Sequence, residues 1–228
     1  MDGRTLWEVL NEVPDRRGRK GRQYALRSVL GISLAAMLAG ANDLRAIFRW
    51  GRRLTPDGLR AFGIEGGRAP CHATYHYFFA ALDGEALSRT LGRHALGEGP
   101  AGHVALDGKS LCGSIREGVV NHVGREVRAL HVLSAFATDL SAVIGDLVVA
   151  PESSEIAAAL SLLKDLPLEG AVITGDAIFA QRRICQLIRD RGGQYLFTVK
   201  GNQAGLMRDI KTAFGDDSPL SRSAAGSA

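Results

Sequence analysis

Downstream of residue 102 the apolar residues come in short blocks, and the order of those blocks constrains the fold more than any other feature of the chain. His103–Asp107 is a short apolar run, and Val127–Thr138 and Ala142–Val149 are rich in Val, Leu and Ile, with Asp139-Leu140-Ser141 as the turn between them. Helices and strands then alternate. Ser154 caps a predicted helix over Glu155–Leu166, Gly170–Thr174 reads as a buried strand, and Phe179–Arg191 as a helix. Tyr195–Lys200 is a further strand, and a last helix runs from about Gln203 to Phe214. The order β-β-β-α-β-α-β-α predicts a mixed sheet covered by helices, an α/β architecture.

The chain ahead of this region reads as helical. Leu6, Val9, Leu10 and Val13 recur at helical spacing until Pro14, which precedes the basic turn from Asp15 to Arg22. A second helix is predicted from about Tyr24 to Gly40, a third from a cap at Asn42 through Trp50, and a fourth over the aromatic-rich Ala73–Leu82, ending near Asp83-Gly84. A Gly/Pro-rich linker, Gly97–Gly102, separates the two patterns. The expected organisation is therefore a helical domain over residues 1–96, an α/β core over 103–214, and a small-residue tail over 215–228 that reads as disordered.

With 228 residues, 46% of them hydrophobic and 23% charged, the composition is that of an ordinary globular protein. Its net charge of +4 is unevenly placed: residues 1–60 hold 12 Lys/Arg against 6 Asp/Glu, the rest 16 against 18. A basic front suggests a polyanionic partner. Cys71, Cys112 and Cys185 are isolated, which excludes a disulfide framework or a Cys-x-x-Cys zinc site and points to a reducing compartment. The apolar stretch Val29–Ala41 is well short of the roughly 20 residues that span a bilayer. It reads as a buried helix, so no membrane partner is expected.

Two carboxylates stand at strand ends. Asp107, in Leu106-Asp-Gly-Lys-Ser110, closes the first strand, although Asp-Gly is equally the signature of a hairpin turn. Asp176 closes Val172-Ile-Thr-Gly-Asp176 just before a helix. Acids at the ends of two strands of one sheet can converge, and hard carboxylate oxygens suit Mg²⁺ or Mn²⁺. The Gly-Lys-Ser at 108–110 imitates a P-loop, but His103 stands where that motif needs a glycine. Lys109 and Lys200 can meet phosphates as point charges. Asn202 and Gln203 can hydrogen-bond sugar, phosphate or base. His72 and His76 lack the glutamate of a zinc protease and read as a packing pair, and Arg182 and Arg183 read first as exposed helix charges.

Several blocks in order carry a resemblance: Ala105–Ser114, His131–Ala137, Glu155-Ile156, Gly170–Gln181 and Gly192–Gln203, with Val13–Arg17, Gly21–Tyr24 and Leu38–Ala41 upstream. Together they closely resemble the H-repeat-associated insertion-sequence DDE transposases, over roughly residues 5–214. The resemblance implies an RNase H-like core in which Asp107 and Asp176 are the first two metal-binding acids, with Mg²⁺ or Mn²⁺ as cofactor. It implies double-stranded DNA as partner, both the element's terminal repeats and the target, bound through Lys109, Lys200, Asn202, Gln203 and the cluster Arg16, Arg17, Arg19, Lys20 and Arg22. A bacterial, nucleoid-associated cytoplasmic protein is implied, self-associating or pairing with a full-length transposase. Three positions depart from the pattern. Cys112 replaces an arginine, Pro151–Ser154 is a degraded Lys-Ser-Asn segment, and the third acid, a helical glutamate beyond Gln203, has no counterpart among Asp209, Asp216 and Asp217. The reading is thus of a transposase truncated before its third acid, inactive or partial, with a non-catalytic DNA-binding fragment that inhibits transposition as the alternative.

Overall fold

A computed structural model describes residues 4–97, 99–111 and 129–214. The chain divides into two compact units, one reaching to Gly99 with Ile144–Asp146 added, the other made of the remainder.

The first unit is helical. Helix α1 (Leu6–Val9) opens on a capping box: Thr5 Oγ1 accepts from the Glu8 amide while the Glu8 carboxylate accepts from the Thr5 amide at 2.8 Å. A 3-10 turn continues it over Leu10–Glu12 until Pro14. Helix α2 (Leu26–Leu38) is buried nearly all round, and a Cβ on its Gly31 would lie 2.7 Å from the Trp7 ring. Gly40, at φ +92°, terminates it, with the Ala41 amide donating to the Ala36 carbonyl at 2.9 Å. Helix α3 (Leu44–Gly51) is capped by Asp43, rather than by Asn42 as expected from sequence. Helices α4 (Pro56–Ala61), α5 (His72–Ala81) and α6 (Gly84–Leu96) complete the unit around Leu10, Val29, Ile32, Ile47, Tyr75 and Phe78. The sequence reading missed α4 and α6. Helix α5 ends at Ala81, near the expected Asp83-Gly84, and Asp83 then caps α6, accepting from the Ala86 amide.

The second unit is built on a five-stranded sheet: β1 (His103–Leu111), β2 (Leu130–Ala137), β3 (Ala142–Val148), β4 (Val172–Gly175) and β5 (Gln194–Phe197), in the order β3-β2-β1-β4-β5. β1 is antiparallel to β2 and parallel to β4, and β4 is parallel to β5. That order and these senses are an RNase H-like mixed sheet. Helix α7 (Glu155–Asp165), capped by Ser154, and α8 (Arg182–Asp190) bury Ala159, Leu163, Ile184 and Ile188. The same core takes one sheet face, with Val104, Leu106, Leu133, Ala135 and Ile173. Phe136, Val172 and Leu196 alternate onto the other face and stay exposed, and α9 (Ala204–Phe214) buries none of its residues. No helix among the described residues is long and apolar enough to cross a membrane. Residues 112–128, with Cys112, and the expected tail at 215–228 lie outside the described residues.

Candidate metal and nucleic-acid site

Asp107-Gly108 is not a turn. The β1–β2 ladder runs straight through it, Asp107 opposite Ser134 and Gly108 opposite Leu133, to Leu111 opposite Leu130. On its other side β1 pairs with β4 in parallel from His103↔Val172 to Leu106↔Gly175, an offset of 69 positions (172 − 103). Asp107 and Asp176 have that same offset (176 − 107), so they stand level, one step past the last pair. In parallel strands level residues project to the same face. β4 ends on a glycine, Gly175, and a Cβ there would lie 2.8 Å from the Phe179 ring.

Asp176 leads into a 3-10 turn over Ala177–Phe179 and caps it, its Oδ1 accepting from the Ala177 amide at 2.6 Å. Its Oδ2 accepts from Lys200 Nζ at 2.8 Å. The Lys200 ammonium first, and the Ala177 amide second, hold the Asp176 carboxyl below its ordinary range. Lys200 and Gln203 belong to a turn closed by the Gln203 amide on the Lys200 carbonyl at 2.9 Å, and Gln203 Nε2 donates to the Ala177 carbonyl at 3.1 Å. Asp176, Lys200 and Gln203 are thereby one connected group. Asn202 is exposed in the same turn, and Lys109 is exposed two positions beyond Asp107, on the same side of β1. Arg182 and Arg183 are exposed in the first turn of α8. His72 and His76 pack edge-on against Phe48 and Tyr77.

The basic loop of the helical unit needs a correction. Arg17 is buried, not exposed. Its guanidinium donates to both Asp15 oxygens at 2.9 and 2.8 Å, and to the carbonyls of Gly21 and Tyr24 at 2.9 Å, 5.0 Å over the Phe78 ring. Its donors are consumed in folding the loop. Arg22 adds to this clasp, donating to the Arg17 and Asp15 carbonyls, and Arg16 pairs with Asp83 at 2.5 Å while staying largely exposed. Arg19 is exposed, and Lys20 lies in the 3-10 turn Arg19–Gly21.

One cluster was assigned no role from sequence. Glu155, in the first turn of α7, pairs with His131 Nε2 at 3.0 Å, and His131 Nδ1 meets Ser110 Oγ at 3.0 Å. A glutamate behind a capping serine looks like ordinary helix-start chemistry, so no local signal separates it from one.

Among the described residues no three His, Cys, Asp or Glu side chains converge as metal ligands. The two carboxylates still suit a hard divalent ion. Both are exposed, both offer oxygen, and a positive charge already rests on Asp176. Mg²⁺ in particular keeps several waters and takes one or two protein carboxylates.

The DDE_Tnp_1-associated family matches residues 7–95, and the Transposase DDE domain family matches residues 100–224. An uncharacterised protein from the dhlA 3′ region of Xanthobacter autotrophicus is 33% identical, over 87% of this chain and 66% of its own length. The H repeat-associated putative transposase YbfD of Escherichia coli K12 is 30% identical, over 94% of this chain and 83% of its own. A second such putative transposase, YhhI, is also 30% identical over 94%, and there the chain spans 56% of the relative's length.

Proposed function

The chain belongs to the DDE transposases, and from that premise we propose that it is the transposase of an insertion sequence, with Asp107 and Asp176 as the acids that hold its divalent ion, Mg²⁺ or Mn²⁺. The observation that carries this reading is the parallel β1–β4 register, whose last pair Leu106↔Gly175 stands one step before Asp107, inside β1, and Asp176, just past the end of β4. Bound there, a divalent ion supplies Lewis-acid polarisation of a phosphodiester and a water acidic enough to attack it. Lys200 neutralises Asp176, and with a divalent ion on that carboxylate its ammonium would be free to meet a DNA phosphate as a point charge. Lys109, Asn202 and Gln203 would position the strand through its backbone. Residues 103–214 act as the catalytic core and residues 1–96 as a DNA-positioning domain, in the bacterial cytoplasm where chromosomal DNA is.

Calorimetric titration with Mn²⁺ tests the ion site. Asp107→Asn and Asp176→Asn should each weaken binding by tenfold or more. Lys200→Met, which removes the competing ammonium, should tighten it. Unchanged affinity in both aspartate variants sinks the assignment.

Within the loop, the exposed Arg16 and Arg19 are the cations on which the DNA-binding prediction is tested. Replacing Arg16 and Arg19 by alanine should weaken binding to any sequence. It should also reduce the slope of log affinity against log salt by about two, near 0.9 per phosphate contact. A slope that does not move means these charges solvate the loop. A second reading is a non-catalytic fragment that occupies element ends, supported by there being no group of three His, Cys, Asp or Glu side chains fit to hold a metal among the described residues.

A further inference from the structure

We propose that the Glu155–His131 pair is a positioning element for the two acids: it pins the start of α7 to the β1–β2 ladder beneath Asp107 and so fixes Asp107 against Asp176. This rests on the ion-site reading above. The observation comes from Gly108. A Cβ built there would sit 1.6 Å from Glu155 Oε1 and 3.1 Å from His131 Nε2, so the carboxylate occupies the volume a side chain would need. Glycine next to Asp107 is therefore a seat for Glu155. Successive residues of a strand face opposite ways, so Glu155 lies on the sheet face away from the Asp107 carboxylate and acts through the backbone, without touching the ion.

The pair reaches both acids. His131 stands opposite Ser110 on β2 and is held by Ser110 Oγ at 3.0 Å, which ties it to the strand that carries Asp107. His131 and Glu155 are about three-tenths and one-fifth exposed, so their 3.0 Å contact is shielded better than a surface pair. Helix α7 also packs against the 3-10 turn Ala177–Phe179 that Asp176 caps. One helix thus touches the support of each acid, and the Glu155 end sets where that helix sits along the sheet. Supporting groups of this kind change metal affinity about 10–100-fold when removed.

The experiment is the Mn²⁺ titration of the full chain, with folding of each variant followed by circular dichroism and thermal unfolding. Glu155→Ala should weaken Mn²⁺ binding about tenfold, and Glu155→Gln, which retains a hydrogen-bonding oxygen for His131, should restore most of it. Gly108→Ala should weaken binding like Glu155→Ala, and the double variant should be no worse than either single one, because both remove the same contact. Leu163→Ala, on the buried face of the same helix, should lower the unfolding temperature and leave affinity alone. Wild-type affinity in Glu155→Ala, with Asp107→Asn unable to bind, overturns the positioning role and spares the ion site. If Glu155→Ala does not fold, Gly108→Ala decides in its place, and unchanged affinity there overturns it too. Wild-type binding by Asp107→Asn overturns the ion-site reading, and this inference falls with it.

Discussion

Arg17→Ala should unfold about 10 °C or more below the wild-type chain. The guanidinium is buried, bidentate to Asp15, bonded to two loop carbonyls and stacked on Phe78, so truncation leaves both carbonyls without this donor and the Asp15 carboxylate with only the Arg17 amide and the more distant Arg22. Breaking a buried pair from one side costs about 3–5 kcal/mol, against a total stability of about 5–15 kcal/mol. Lysine should not rescue it, since a point ammonium cannot span a carboxylate and two carbonyls. Arg17, chiefly through its hydrogen bond, lowers the Asp15 pKa from its ordinary 3.8. A carboxyl whose folded pKa is depressed contributes stability above its unfolded value and loses it as pH falls through the folded one. The wild-type chain should therefore lose this contribution below about pH 4, and Asp15→Asn should lose it at every pH. An Arg17→Ala chain that melts with the wild type but binds DNA less well returns Arg17 to the DNA surface.

Arg17 also marks where sequence reasoning stops. Five cations in seven residues read as a solvated basic turn, and nothing local distinguishes Arg17 from Arg16 or Arg19. Its burial depends on Phe78, 61 positions away (78 − 17). The α/β order was legible because strands and helices have different apolar periods, and each expected strand lies near its place. Helices that open on turn-like residues were not legible. Helix α4 is six residues behind Thr55 and Pro56, and Asp83-Gly84 signals a turn although it opens α6.

The two acids divide in the same way. Both were visible as strand-end aspartates, and the strand order made their approach plausible, but their level placement follows from the β1–β4 register, which no local pattern encodes. The ambiguity of Asp107-Gly108, turn or strand, is settled by the β1–β2 ladder, and the glycine fits the space taken by the carboxylate of Glu155, 47 positions further on (155 − 108).

This chain alone, incubated with Mg²⁺ or Mn²⁺ and DNA bearing the element's ends, should yield no strand-joined product. In-line displacement at a phosphodiester is stabilised by two ions about 3.5–4 Å apart, one on the attacking and one on the leaving oxygen. Asp107 and Asp176 bring four carboxylate oxygens, and two of them already serve Lys200 and the Ala177 amide. That set suits one hydrated ion. Asp209, the described candidate for a third acid, is exposed on α9, a helix that buries none of its residues, and Asp216 and Asp217 lie outside the described residues. Losing a second ion removes several kcal/mol of transition-state stabilisation, and at 1.36 kcal/mol per tenfold a loss of about 4 kcal/mol already lowers the rate roughly a thousandfold. Binding should survive, since phosphate contacts do not need the ions, so the chain should shift DNA in a gel under conditions where it joins none. An Asp107→Asn control runs alongside. Joined product from this chain that disappears in the control would mean that a third ligand is present, and Asp209→Asn, Asp216→Asn and Asp217→Asn would then identify it.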